Sequence, residues 1–384
     1  MNNEKPILID AHVHAREQWT DEFRETVPIY SANSASVYMM NFKKALDLSH
    51  LDNAVELCRE YYRAIMDLAF TAENPLHRAL LMPVLAESWE PEQLRSFIKM
   101  VKGSDIPLAG FKLFTQGQST NSGYAPSIAK AQKLIDEVES AGLPLCLHME
   151  DPDERNASKK EVSAIQKILP QFVERNGKPR DMKISVEHVS TWETLREVVD
   201  RGLWCTITPH HMGLCQEDFG IIFPDMAETM LRTREPYFYC KPILQTRKNQ
   251  KALRKFWMGG GYDKLMPGTD SAPWTIEDKE SAAPHAGIFL GGAFRAYLEV
   301  GCGVEVDTTM PKVAGSARSL GESGNADIDA IRPLIQNYSL NAARFYGINP
   351  ATLPAARVPD EKSLFFVQNG RTVLKFGKTK VHES

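Results

Sequence analysis

Long apolar runs are missing from this chain. Nothing in its 384 residues approaches the ~20 consecutive apolar residues of a membrane-spanning helix, so no membrane partner is expected. The opening stretch Met1 to Pro6 is polar and leads directly into an apolar strand pattern, without the apolar region of a secretory signal, and a cytoplasmic location is expected. Cysteine is sparse and scattered. Cys58, Cys146, Cys205, Cys215, Cys240 and Cys302 form no CxxC pair, which argues against a thiolate zinc site or a disulfide framework and leaves reduced, buried thiols. An excess of positive charge is missing too. A net charge of -4 argues against nucleic acid as a partner, because its binders carry a basic patch or stripe. What remains is ordinary for a globular protein with a substantial core, at 43% hydrophobic and 24% charged residues. The length suits two average domains or one large α/β barrel, which takes ~250 residues before insertions.

Along the chain, short apolar runs alternate with helical patterns. Ile7 to Ile9 opens the first strand; Val37 to Met40, Leu80 to Leu85, Pro107 to Phe114, Leu143 to His148, Lys183 to His188, Leu203 to Thr208 and Leu265 to Asp270 supply seven more. Helical patterns over 46–70, 91–100, 127–141, 159–173 and from Thr191 to the Gly202 stop fall between them. Such alternation predicts parallel βαβ units, and eight strands predict a closed (β/α)8 TIM barrel. Residues 16–36 read as a long polar loop, and Gly315 to Asn325 as a mobile surface excursion. Alternation around Asn369-Gly370 predicts a hairpin. The expected organisation is therefore a barrel over 1–346 with a small C-terminal element over 347–384 packing on it.

The chemistry gathers at strand ends, which is where barrel enzymes place their working residues. His12 and His14, two apart on an extended backbone, share one face. Lys112, His148, His188 and Asp270 end the fourth, fifth, sixth and eighth strands. Four imidazoles and a carboxylate are nitrogen and oxygen donors of the kind divalent zinc accepts. Lys112 is the odd member, since a buried unpaired ammonium is costly and repels cations. Reaction of its amine with carbon dioxide would turn it into a carbamate able to bridge two metals. His210 and His211 are read as structural hydrogen-bonding residues, and His50 and His77 as helix residues satisfied locally or by solvent.

Residues from about Ile7 to Tyr346 resemble the metal-dependent amidohydrolase superfamily, and within it the dihydroorotases of the short bacterial type. The resemblance rests on His12-x-His14-x-Arg16, Phe111-Lys112-Leu113-Phe114 with Ser119-Thr120-Asn121-Ser122, Leu147-His148-Met149-Glu150, Val186-Glu187-His188-Val189-Ser190, Thr206-Ile207-Thr208-Pro209, Tyr239-Cys240-Lys241-Pro242 and Gly268-Thr269-Asp270-Ser271-Ala272-Pro273. It implies two Zn2+ per subunit, one held by His12, His14, carboxylated Lys112 and Asp270, the other by the same carbamate with His148 and His188. It implies reversible hydrolysis of dihydroorotate to N-carbamoyl-aspartate in pyrimidine synthesis, by a hydroxide between the metals, with Asp270 as general acid and base. It further implies a small-molecule substrate held by Arg16, Asn41, Ser119, Thr120 and the backbone of Ala286 and Gly287, and a homodimer.

Two positions depart from the family pattern. Trp274 stands where the family has a histidine that contacts the substrate carboxylate, and Lys241 stands where it has leucine. Losing a donor beside a buried carboxylate costs about 1–3 kcal/mol, enough to change substrate. Lys241 and His285 are candidate replacements for the lost contact. A sister enzyme acting on another cyclic amide or ureide is therefore the alternative, and a catalytically inactive barrel scaffold a second one.

Overall fold

A computed structural model of the chain describes residues 7–72, 74, 76–293, 296–302, 328–356, 365–368 and 371–374. Eight parallel strands carry the architecture: β1 Ile9–Val13, β2 Ala35–Met40, β3 Arg78–Pro83, β4 Phe111–Phe114, β5 Leu145–His148, β6 Ile184–Val186, β7 Trp204–Thr206 and β8 Leu265–Met266. They form an arc of three, β1-β2-β3, and an arc of five, β4-β5-β6-β7-β8. Isolated parallel bridges join the arcs at both seams, Val13 with Ser271 on one side and Leu81 with Leu108 and Val84 with Lys112 on the other. The result is a (β/α)8 barrel, as the alternation predicts.

Strand periodicity sorts the side chains into two layers. Val37 and Met39, Leu80 and Met82, Cys146 and Met266 belong to one small cluster with Ala342 and Phe345 of the last helix. Cys146 is two residues before His148, so this cluster shares the inward face beneath the site. The alternate residues, among them Tyr38, Met40, Leu81, Leu113, Leu147 and Val186, pack outward against the helices. Those helices are α1 Asp21–Tyr30, α2 Leu51–Thr71, α3 Pro91–Lys102, α4 Ile128–Ser140, α5 Lys160–Lys167, α6 Leu169–Val173, α7 Trp192–Asp200, α8 Pro209–Gly213, α9 Ala227–Arg234, α10 Arg247–Gly259, α11 Ile276–Glu280 and α12 Ile328–Tyr346.

Three expectations need correction. The stretch 16–36 is not simply a loop, because α1 occupies its centre, capped by Thr20 Oγ1, which accepts from the Phe23 N–H. Phe23, Val27 and Tyr30 are buried along one side of it. The helix predicted over 159–173 is two helices, broken at Ile168 ahead of Pro170, which has no N–H to continue the ladder. His77 is not helical: it precedes β3, buried, with its ring nitrogens on Tyr38 Oη at 3.2 Å and Asn33 O at 3.0 Å. His50, at the exposed start of α2, lies 3.0 Å from Asp47 Oδ2. The excursion expected at Gly315 to Asn325 lies outside the described residues. In the tail, Phe365–Gln368 pairs antiparallel with Arg371–Leu374, while the expected turn at Asn369-Gly370 lies outside the described residues.

Candidate metal centre and substrate pocket

The strand ends converge as their spacing predicts. His12 Nε2, His14 Nε2 and Asp270 Oδ1 stand 3.2–3.3 Å from one another. Ligand atoms each ~2.0–2.2 Å from one zinc are separated by about that much. Opposite them, His148 Nδ1 and His188 Nε2 are 2.9 Å apart, and the His12 and His188 rings approach to 5.5 Å. Lys112 projects from β4 into the same electrostatic neighbourhood. Its Nζ is fully buried without a hydrogen-bond partner, and its charge is felt by all four histidines.

Burial pushes Lys112 and the four imidazoles down, which favours neutral amine and free ring lone pairs. Asp270 behaves oppositely. Burial opposes its ionised form, yet His12, His14 and Lys112 override it and hold the carboxyl well below its usual range. Neutral imidazoles, an ionised carboxylate and an orphaned buried amine fit divalent cations.

Backbone strain aims these groups. His188, Asp270 and Arg16 have left-handed backbone at φ 44°, 49° and 66°, conformations that non-glycine residues keep only where the surroundings impose them. At Asp270 the chain leaves β8 but stays tied to β1 through Asp270 N–H on His12 O at 2.9 Å.

Three buried acids set the orientation of this cluster, and the sequence reading assigned none of them a role. Glu187 Oε2 meets His12 Nδ1 at 2.9 Å and Glu150 Oε2 meets His148 Nε2 at 2.8 Å, so each fixes the tautomer that turns the other nitrogen inward. Asp10 accepts from Thr269 N–H at 2.9 Å, Thr269 Oγ1 at 2.7 Å and His12 N–H at 3.2 Å, locking β1 to the strand end that carries Asp270. Glu150 was signalled by its place two residues after His148. Glu187 was not, because adjacent strand residues point apart unless, as at His188, the backbone turns left-handed.

A second group of ligand-type atoms, from His210, His211 and Cys240, lies within 4.8 Å. Hydrogen bonds account for His211 and Cys240, whereas both ring nitrogens of His210 are buried without a partner, so the structural bonding expected of His210 is not found. Thr208 Oγ1 donates to His211 Nδ1 at 2.7 Å, and His211 Nε2 and Cys240 Sγ both donate to Pro242 O, at 3.0 and 3.2 Å.

Beside the centre, Arg16 is buried. Its Nε donates to Pro273 O at 2.8 Å, the Trp274 ring covers its guanidinium at 3.7 Å, and its Nη2 has no partner. Burial lowers its pKa only to about 10, so it stays a cation. Trp274 Nε1 donates to Ala286 O at 2.8 Å and its ring packs on His285 at 4.3 Å. Thr120 Oγ1 accepts from the Ala286 N–H at 3.1 Å, and Asn41 Nδ2 donates to Thr120 O at 2.9 Å. The Ser119 N–H donates to Ser122 Oγ at 2.8 Å within the same loop. Lys241 Nζ lies 3.9 Å from Glu228 Oε1, so its charge has a partner on α9.

No family model matches the chain. Over 287 residues, 73% of this chain and 74% of the relative, it is 26% identical to the dihydroorotase of Helicobacter pylori strain G27. Over 271 residues, 69% and 67% respectively, it is 28% identical to the dihydroorotase of Serratia proteamaculans. In sequence the chain is similar to dihydroorotases. Solved structures share its fold: the Saccharomyces cerevisiae dihydroorotase in complex with 5-fluoroorotic acid has a TM-score of 0.66 at 19% identity, covering 91% of this chain and 86% of that one. The L-hydantoinase (dihydropyrimidinase) of Arthrobacter aurescens has a TM-score of 0.58 at 16% identity, covering 93% and 74%. At these identities the solved structures show a shared fold. The described residues contain no helix long and apolar enough to cross a membrane.

Proposed function

We propose that this chain is a dihydroorotase that opens dihydroorotate to N-carbamoyl-aspartate and closes it again, using two zinc ions. The observation that carries this reading is the buried, unpartnered Lys112 Nζ set among His12, His14, Asp270, His148 and His188. Carboxylated Lys112 would complete both ligand sets, turning an orphaned buried amine into an anion with two partners. Bound there, the cations would polarise the ring carbonyl and lower the pKa of water.

The chain's own residues do the rest. Arg16 presents its free Nη2 to the substrate carboxylate, with its guanidinium held flat by Trp274 and its Nε by Pro273 O. Water oxygen bonds to the ring carbonyl carbon and the ring C–N bond breaks. Asp270 takes the proton from that water and delivers it to the departing nitrogen, a role that requires the ionised carboxyl its neighbours maintain. Thr120 and Asn41, latched to Ala286 and to each other, roof the pocket. The subunit is proposed to pair as a homodimer.

One observation favours a sister activity. Trp274 places an aromatic wall where a second donor to the carboxylate would sit, which suits a cyclic amide or ureide with fewer polar contacts at that end. Ultraviolet monitoring of dihydroorotate ring opening, run beside a panel of cyclic amides and ureides with metal analysis of the same sample, separates the readings. Two metals with dihydroorotate turnover are expected. Two metals with turnover only of another ring would support the sister enzyme, and no metal would support an inert scaffold.

A further inference from the structure

Lys279 on α11 is a buried cation for which the proposed reaction has no use. It is 4% exposed, and its Nζ reaches three backbone carbonyls: Tyr239 O at 3.2 Å, His285 O at 3.0 Å and Gly287 O at 2.6 Å. Among the described residues no carboxylate pairs with it. An ammonium has three N–H donors, and here each has an acceptor.

Those carbonyls belong to two segments, Tyr239-Cys240 and His285-Ala286-Gly287, the second bonded to Trp274, whose ring covers Arg16. Every backbone polar group of the second segment is engaged. The His285 N–H donates to Asp278 O at 3.3 Å and the Gly287 N–H to Tyr239 O at 2.9 Å. Ala286 is held by Thr120 and Trp274, and the two remaining carbonyls are held by Lys279. At Gly287, with φ 144°, a Cβ would sit 2.7 Å from Ala272 Cβ and 2.9 Å from Trp274 Nε1, so the segment runs hard against its neighbours.

We propose that Lys279 is a positioning residue whose ammonium fixes the wall His285–Gly287 against Tyr239-Cys240 and thereby sets substrate affinity without touching the reacting atoms. The affinity part of this claim rests on the cyclic-amide hydrolase reading; the fixing of the wall does not. Deprotonation would leave two N–H donors for three carbonyls. Burial brings this amine down to about 7, with Cys240 opposing the shift and Arg16 adding to it. His285 faces it from the wall, and Asp278 on its own helix is occupied by Thr275 Oγ1 at 2.8 Å and by the His285 ring at 3.5 Å.

The test is hydrogen exchange of peptides spanning 283–290, corrected for intrinsic rates, in the metal-loaded native enzyme at about pH 6 and about pH 8.5, and in Lys279→Met. Protection is expected to drop roughly tenfold at the higher pH in the native enzyme and to be low at both in Lys279→Met, consistent with one charge-assisted hydrogen bond lost. Lys279→Met should also raise KM for dihydroorotate about tenfold with kcat within about threefold, at unchanged metal content and melting midpoint, and Lys279→Arg should recover part of the KM. Protection that ignores both pH and substitution would overturn the proposal, as would a KM within about twofold of native on a substrate the enzyme turns over. Should Lys279→Met fail to fold, the native pH dependence decides alone. If dihydroorotate is not turned over at all, the functional reading fails while the exchange data still judge Lys279.

Discussion

The His12 ring is held by a buried acid as well as by its strand. Glu187 fixes its tautomer from Nδ1 while itself accepting from Ser185 Oγ and Thr206 Oγ1. Glu187→Gln keeps the shape and one acceptor oxygen but loses the negative charge and turns the other oxygen, which accepts from Ser185 Oγ or from His12 and Thr206, into a donor. Its zinc affinity is expected to fall about 10–100-fold, read by competition with a chromophoric chelator, with the fold intact by circular dichroism. That prediction turns on a residue whose importance was illegible in sequence. The four histidines, Lys112 and Asp270 could be read because each ends an apolar run and carries metal-binding or acid-base chemistry. Glu187 lies inside such a run next to His188, where period-two alternation gives no reason to point both at one centre, whereas Asp10 shares the face of His12 and His14 and was passed over there. Left-handed backbone at His188 provides that reason for Glu187, and it has no sequence signature here.

Helices were legible where an apolar stripe is paired with a recognisable cap, as at Thr191 before α7. They were lost where proline interrupts the pattern: Pro28 inside α1 and Pro170 at the start of α6. The cap of α7 has a second layer. Buried Glu161 of α5 accepts from Ser190 N–H and Oγ and from Thr191 N–H and Oγ1 at 2.8–3.0 Å, and burial raises its carboxyl to about 7. Between its ordinary range and about 7 the folded form holds a proton that the unfolded form has lost, so this group's contribution to stability declines as pH rises through that window. Glu161→Gln removes the dependence. The melting midpoint of the variant minus that of the native chain should become more positive from about pH 4.5 to pH 7.5, and a flat difference would refute the assignment. The segment after β8 has its own prediction. Trp274→Phe keeps a ring over Arg16 but loses the bond to Ala286 O, whereas Trp274→Ala loses both. Steady-state KM for the carboxylate-bearing substrate should rise about fivefold in the first and well over tenfold in the second.

The barrel is legible as a whole from its alternation, although regular pairing is shorter than the apolar runs suggest. The eighth run, six residues by pattern, is ladder only at Leu265–Met266 because the chain turns to deliver Asp270. The candidate ligands are divided between the arcs: His12 and His14 on the three-stranded one, Lys112, His148, His188 and Asp270 on or just beyond strands of the five-stranded one. Cations bound there would span seams that single bridges otherwise join. Removal of metal by dialysis against a chelator is therefore expected to lower the melting midpoint by several degrees, recovering when zinc is returned, with calorimetry as the measure. The centre is also lopsided toward water. The His14 and Asp270 side chains are 9% and 11% exposed, while His12 and His148 are at 1%. Traffic of ions should follow that gradient, the outer one leaving and arriving first and the inner one trailing, so that an enzyme starved of metal would pass through a singly charged intermediate instead of emptying at one stroke.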